Sequence, residues 1–227
     1  MRFSYLTLTF VFVATVCFAQ KKTIDFEAID SLYREDQFYL NLSFINLQKE
    51  PSSVSQIKIS PQIGFGFLRD IPVNKNRTVS VALGLGYNIA ILNHNLFIDN
   101  SNEKVTYSAI NQEFDRNKLS LHYVDVPLEL RWRTSTPETH VFWRIYTGFK
   151  VSYLVYDQYK FKGETTIKSS KNNDLNQFQY GAYLSTGWNT WNFYVYYGLN
   201  PLFQSAQLDN QNIDMYNFNF GLMFYIL

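Results

Sequence analysis

From about Gln37 to Leu227 the chain alternates between apolar side chains and small or polar ones, over roughly eight stretches. The last stretch shows the rule most plainly. Tyr216, Phe218, Phe220, Leu222, Phe224 and Ile226 alternate with Asn217, Asn219, Gly221, Met223 and Tyr225. Successive side chains of a β-strand point to opposite faces, so this pattern makes one apolar face and one polar face. A helix would repeat every 3.6 residues and would scramble both faces. An apolar face on every strand, with the chain ending on a strand, leads to a sheet that closes on itself in lipid. The expected fold is all-β: an eight-stranded antiparallel up-and-down transmembrane β-barrel over residues 37–227.

The eight stretches fall at about 37–47, 56–68, 78–92, 119–133, 141–156, 177–188, 191–202 and 215–227. The connections after the second, fourth and sixth are short (70–77, 134–140 and 189–190). Those after the third and fifth are long (93–118 and 157–176). Outer-membrane barrels keep short turns on the periplasmic side and long loops outside. An even strand count then puts both ends of the domain on the short-turn side. Trp132 and Trp143 flank one short turn, and Trp188 and Trp191 flank another. All four tryptophans belong to the apolar parity and are expected in one aromatic belt at the periplasmic interface. The high aromatic content, 18% with 17 Tyr and 20 Phe, agrees with such girdles.

Ahead of the strands, Arg2 and the apolar run Leu6 to Val16 have the layout of a secretory signal. Cys17-Phe18-Ala19 before Gln20 is an A-x-A-like cleavage site, so residues 1–19 are expected to be removed. The only cysteine is Cys17, and the larger Val16 before it disfavours a lipid-anchor reading. The exported chain would thus carry no disulfide and no Cys-ligated metal. Residues 20–36 are polar, with Phe26, Ile29 and Tyr33 at helix-like spacing, and are expected to form a periplasmic lead-in. No stretch after Ala19 reaches the ~18 apolar residues of a spanning helix. A net charge of +1 carries no signature of nucleic-acid binding.

Three segments resemble the PorT-like family of outer-membrane β-barrels from Gram-negative bacteria. They are the signal end Phe18-Ala19-Gln20, the segment Tyr123-Val124-Asp125-Val126-Pro127-Leu128-Glu129-Leu130, and the final strand Asn219-Phe220-Gly221-Leu222-Met223-Phe224-Tyr225-Ile226. The final strand is similar to the signal read by the barrel assembly machinery, although Leu227 stands where an aromatic residue is common. The resemblance implies an eight-stranded outer-membrane barrel, with the machinery and the membrane lipid as partners. It also implies a role beside secretion-system or surface partners in type IX-like protein secretion.

The inward parity holds the residues that could carry a function. Asp125, Glu129, Arg131, Arg133, Arg144 and Lys150 share it with Tyr146, Tyr183, Tyr194 and Tyr196. Eight strands leave an interior just wide enough for side chains. Centring the fourth and fifth strands on their turn sets Trp132 opposite Trp143 and Asp125 opposite Lys150, with Glu129 diagonal to Arg144. Charges buried there must pair, so a lumen charge network (Asp125, Glu129, Arg131, Arg144, Lys150) is expected to act as a packed plug, with a gated ion path as the alternative. Ser120 and His122 lie two apart on one strand face, as a hydrolase dyad could, yet no third orienting group is at hand. Asp99, Glu103 and Asp115 lack calcium-loop spacing. Gly64, Gly66, Gly84 and Gly86 share the inward parity and read as room for neighbours rather than as phosphate loops. The expected protein is non-enzymatic, without metal or cofactor. Its expected role is a structural or accessory part in envelope assembly or protein secretion. Two other roles remain open: recognition through the long loops, in which Leu96, Phe97, Ile98, Tyr159 and Phe161 are expected as exposed apolar residues, and a narrow solute channel.

Overall fold

The computed structural model describes residues 35–100, 104–134 and 143–226. The signal segment, residues 20–34 of the lead-in, Glu103, most of the fourth-to-fifth turn with His140, and Leu227 lie outside the described residues. Thirteen strands occur among those described: β1 (Gln37–Gln48), β2 (Ser60–Pro72), β3 (Val79–Asn93), β4 (Leu96–Asp99), β5 (Thr106–Ala109), β6 (Arg116–Arg133), β7 (Trp143–Lys162), β8 (Thr166–Ser169), β9 (Phe178–Trp188), β10 (Trp191–Gly198), β11 (Gln207–Leu208), β12 (Gln211–Asn212) and β13 (Tyr216–Ile226). Eight of them form a ring in which each strand pairs antiparallel with its neighbours, in the order β1-β2-β3-β6-β7-β9-β10-β13. Pairing of β1 with β13, from Phe38 opposite Ile226 to Gln48 opposite Tyr216, closes the ring. Closure satisfies the backbone groups that an open edge would leave bare in lipid. The small pairs β4-β5 and β11-β12, and the short β8 beside β7, belong to the long connections.

The outer wall is apolar and bare. Phe193 is 73% exposed and Leu85 61% exposed, beside Leu83, Leu128, Leu130 and Phe149. A continuous apolar surface of this extent needs a lipid neighbour rather than water. The four tryptophans are exposed at the end with the short turns. Trp143 and Trp188 meet edge to face at 5.3 Å, and Trp191 meets Phe224 at 4.9 Å. Asn189 makes the tight turn between Trp188 and Trp191 in the left-handed region (φ 55°), which asparagine tolerates better than most residues. At the other end a second aromatic row contains His122, whose ring meets Tyr156 at 5.3 Å and whose Nδ1 shares a 2.8 Å hydrogen bond with Tyr87 Oη. Ten residues of β6 separate Trp132 from His122. At a tilt of about 40° that is about 25 Å, the height of an outer-membrane apolar band.

Beyond the second row the strands invert their pattern. On β6 the outward residues change from Trp132, Leu130, Leu128, Val126 and Val124 to Ser120, Lys118 and Arg116. The inward ones change from Arg133, Arg131, Glu129 and Asp125 to Tyr123, Leu121 and Leu119, all buried. Below the row the outside is hydrocarbon and the inside polar. Above it the outside is water, so the hydrophobic effect drives apolar side chains inward. Ile45, Leu47, Leu92, Leu119, Leu121, Leu175, Leu202, Phe203, Ile213 and Met215 form one apolar core there with Leu96 and Ile98. The expectation that Leu96, Ile98 and Tyr159 are exposed loop residues is thereby corrected: all three are buried, at 2% exposure or less. The long connections are not free loops. They fold over the barrel mouth as a cap.

The β6–β7 register also differs from the expected one. Thr134 N–H donates to Trp143 O at 3.0 Å, so the ladder runs two residues further along β7. Trp132 lies opposite Ile145, Asp125 opposite Ser152, Pro127 opposite Lys150, and Glu129 opposite Gly148. A slip of two residues keeps every side chain on its face, which is why the face assignments survive it. A bulge at Val155, between the pairs His122–Tyr156 and Tyr123–Leu154, shifts the parity of β7 as it leaves the membrane band.

Candidate functional site

The lumen is divided into three zones. The lower zone, at the short-turn end, is an ion network centred on Asp70. Arg133 clamps Asp70 with two parallel bonds, Nη1 to Oδ1 and Nη2 to Oδ2, both 2.9 Å. Arg131 Nη1 reaches Oδ1 at 3.2 Å, and Ser80 Oγ donates to the same oxygen at 2.6 Å. Arg131 Nε also donates to Glu129 Oε2 at 2.7 Å. Glu129 Oε1 accepts from Tyr183 Oη at 2.8 Å and from Tyr225 Oη at 3.3 Å. Arg131 lies over the Tyr146 ring at 4.7 Å. Arg144 lies 5.7 Å from the Tyr146 ring centre and 5.4 Å from that of Tyr225. Glu35, just ahead of β1, joins this network. Arg131 Nη1 donates to Glu35 O at 3.2 Å, and Arg133 Nη1 lies 3.8 Å from Glu35 Oε2.

The middle zone holds the second pair. Lys150 Nζ is 3.4 Å from Asp125 Oδ2 across the shifted register, reaching diagonally from beside Pro127. Asn88 Nδ2 is 2.7 Å from both carboxylate oxygens of Asp125, and Lys150 Nζ lies over the Tyr196 ring at 4.8 Å. Among the described residues, four buried carboxylates (Glu35, Asp70, Asp125, Glu129) face four buried cations (Arg131, Arg133, Arg144, Lys150). The cavity between these side chains, lined by Tyr39, Asn88, Asp125, Glu129, Lys150 and Tyr194 among others, measures about 20 Å³. That is room for a single water molecule. Gly86 makes the packing possible, because a Cβ there would overlap Tyr39 Oη.

The five lumen charges singled out in the sequence therefore all face the interior. The Asp125–Lys150 pair forms; the Glu129–Arg144 diagonal is replaced by Glu129 with Arg131. Asp70 and Glu35 were missed. The inward alternation Gln62, Gly64, Gly66, Leu68 continues to Asp70, and this continuation was the available signal. Ser120 and His122 lie on the outward face, where His122 bonds to Tyr87, and no hydrogen bond joins them among the described residues. Asp115 is paired with Lys162 at 2.7 Å.

The pairing of Asp125 with Lys150 makes a definite prediction. Lys150→Met leaves a buried carboxylate with only Asn88 to offset it, and is expected to lower barrel stability by about 3–5 kcal/mol, against 0–1 for a surface pair. Asp125→Asn in the same chain should restore part of the loss, because neither charge remains. Urea unfolding in lipid, run on the parent, both single variants and the double, measures the coupling. Small additive effects would mean a wet lumen in which water solvates the leftover charge.

The third zone is the apolar cap, and it contains a buried histidine. His94 lies just after β3. Its Nδ1 accepts from Leu96 N–H at 3.2 Å, its carbonyl accepts from Asn117 Nδ2 at 2.7 Å, and its Nε2 has no partner among the described residues. Burial pushes its pKa down to about 4. The ordinary value is about 6.5, so the opened cap binds the proton more readily than the closed one. Closure is thus expected to be stable above about pH 6.5 and to weaken as pH falls toward 4, by up to roughly 3 kcal/mol. Limited proteolysis of the outer connections at about pH 4.5 and pH 7.5 reads this. His94→Asn should flatten the difference, and a parent equally resistant at both values would refute it. Above His94 the connections are tied together: Tyr107 Oη lies 3.1 Å from Asn172 Oδ1 and from Asp174 Oδ2, and the Asp157 carboxylate accepts from the backbone N–H of Lys171 and Asn172.

A closed ring of eight antiparallel strands, an apolar outer band between two aromatic rows and a polar lumen of paired charges define a barrel built for an outer membrane. No curated protein matches the chain. The model of the outer membrane protein beta-barrel domain matches residues 18–204, most of the sequence, and the chain belongs to that family.

Proposed function

We propose that the protein is a non-conducting, non-enzymatic barrel that serves the cell envelope as a structural or accessory component, in envelope assembly or in type IX-like protein secretion. The secretion role is what the PorT-like resemblance implies. The observation that carries the reading is a lumen filled from end to end: an ion network below, a cavity of about 20 Å³ in the middle and an apolar core under the cap. Among the described residues this packing opposes a continuous solute path, and Ser120 and His122 are not joined by the hydrogen bond that a hydrolase dyad would use. In this reading the exported chain is cleaved after Ala19 and its β13 strand is presented to the barrel assembly machinery before it zips onto β1.

Two measurements test it. In planar bilayers the purified protein is expected to show no steady conductance of porin size. A reproducible large open state, abolished by Glu129→Ala, would replace the proposal with the channel reading. In a deletion strain the secreted proteome is expected to lose or retain-in-periplasm a defined set of exported proteins. An unchanged secretome would remove the secretion role while leaving the structural one.

A second reading, recognition of a surface ligand, is favoured by one feature. A groove of about 430 Å³ runs between the outer connections, lined by Phe97, Ile110, Gln112, Glu113, Phe161 and Glu164. Loss of surface binding in Phe97→Ser with an intact barrel would move this reading to first place.

A further inference from the structure

Above the outer aromatic row, the outward face of β6, β7 and β8 is a field of cations. Lys118 lies opposite Lys160 on β7, and Lys160 lies opposite Lys168 on β8. One step further out, Arg116 lies opposite Lys162. Like charges set directly opposite on neighbouring strands destabilise a sheet. Here three stand in one row across three strands. Lys162 is paired with a carboxylate, Asp115 at 2.7 Å. No ion pair joins Lys118, Lys160 or Lys168 to a carboxylate among the described residues. The neighbouring cations, Lys168 first, hold the Lys160 ammonium below its ordinary pKa. Among the described residues the face carries a local excess of positive charge with no carboxylate paired to the row, although the net charge of the chain is only +1.

The position of the row indicates what neutralises it. Lys118 is four residues beyond His122 and Arg116 six, which is about 10 and 15 Å above the outer aromatic row along the barrel axis. The headgroup layer is about 5–8 Å thick on each side of the hydrocarbon, and the long lysine stems of this row can bend back down the wall to reach it. The side chains leave the wall on the same face as Val124 and Leu128, so they point sideways into the leaflet and not upward toward the cap. Long lysine stems can follow the apolar wall while their ammonium groups stay at the polar surface. Clusters of Lys and Arg beside a membrane segment attract anionic headgroups.

We propose that this face binds the phosphate groups of an anionic lipid headgroup in the outer leaflet. The row Lys118–Lys160–Lys168 provides the main contact, and Arg116 caps it from above with a guanidinium suited to phosphate oxygens. The inference rests on membership of the outer-membrane family and not on the proposed envelope role.

The test uses the full mature chain in phosphatidylcholine vesicles, with or without diphosphorylated lipid A. Stability is read as the temperature at which the folded gel band is lost. Lipid A is expected to raise it by about 5 °C in the parent. The variant K118Q/K160Q/K168Q should keep less than half of that rise, and Lys75→Gln, in the turn at the opposite end, should keep all of it. Dephosphorylated lipid A and free inorganic phosphate should give no rise. An equal rise in the triple variant, or with dephosphorylated lipid A, would overturn the proposal, and a rise with free phosphate alone would reject the lipid source. Should the triple variant fail to insert, Lys160→Gln alone and the parent in about 1 M salt, where the screening length is about 3 Å, replace it. Persistence of the full rise in both would equally overturn it.

Discussion

Asp70→Ala is expected to be the most damaging single change in the lumen, lowering stability by about 3–5 kcal/mol or preventing assembly. Asp70 is fully buried and takes the bidentate clamp of Arg133, a bond from Arg131 and a bond from Ser80. Removing it leaves two guanidinium groups side by side without the carboxylate that both of them share. Asp70→Asn should be nearly as costly, because the amide keeps the shape but not the charge. A double change, Asp70→Asn with Arg133→Met, should recover part of the loss. Urea unfolding in vesicles, scored by the gel shift of folded barrel, gives the numbers. If Asp70→Ala unfolds at the parent's midpoint, water is compensating the arginines and the lower zone is open.

Leu128→Arg and Leu96→Arg are expected to fail in different ways. Leu128 lies mid-strand on the lipid wall, 48% exposed, beside Leu83 and Phe149. Arginine there costs about 2–4 kcal/mol of insertion. The variant should accumulate uninserted or unfold early. Leu96 is fully buried in the cap core. Its arginine variant should insert, because the lipid wall is intact, but the cap should open and the outer connections become sensitive to protease. Reading both gel shift and proteolysis separates the two. Identical behaviour of the two variants would show that the membrane band and the cap are not separate bodies of packing.

Much of this architecture is legible in the alternation alone, because a side-chain period of two survives errors in strand ends and in register. The lumen residues Asp125, Glu129, Arg131, Arg144 and Lys150 and the wall tryptophans need only parity to be placed. What parity cannot supply is the pairing. Turn geometry sets the register of β6 on β7, and a turn centred one residue later moves every partner by two, so Glu129 meets Arg131 on its own strand instead of Arg144. Asp70 was hidden because Pro72 and the polar run after it resemble a turn, whereas β2 continues to Pro72 as a ladder. The cap was hidden for a different reason. Apolar residues such as Leu96 and Ile98 lie in segments too short to show a period, and their burial comes from four connections meeting over the mouth, a long-range event that no local pattern records.

The reversal of pattern along β6 has a mechanical consequence. A strand whose outer face is greasy up to His122 and cationic from Lys118 outward has its waterline drawn on it. Sinking by two residues drags ammonium groups toward hydrocarbon, and rising by two strips leucines and valines of their lipid. The barrel cannot ride up or down to suit a thicker or thinner bilayer. Where thickness varies, the lipid must deform around the protein, and the protein will gather where that deformation is smallest.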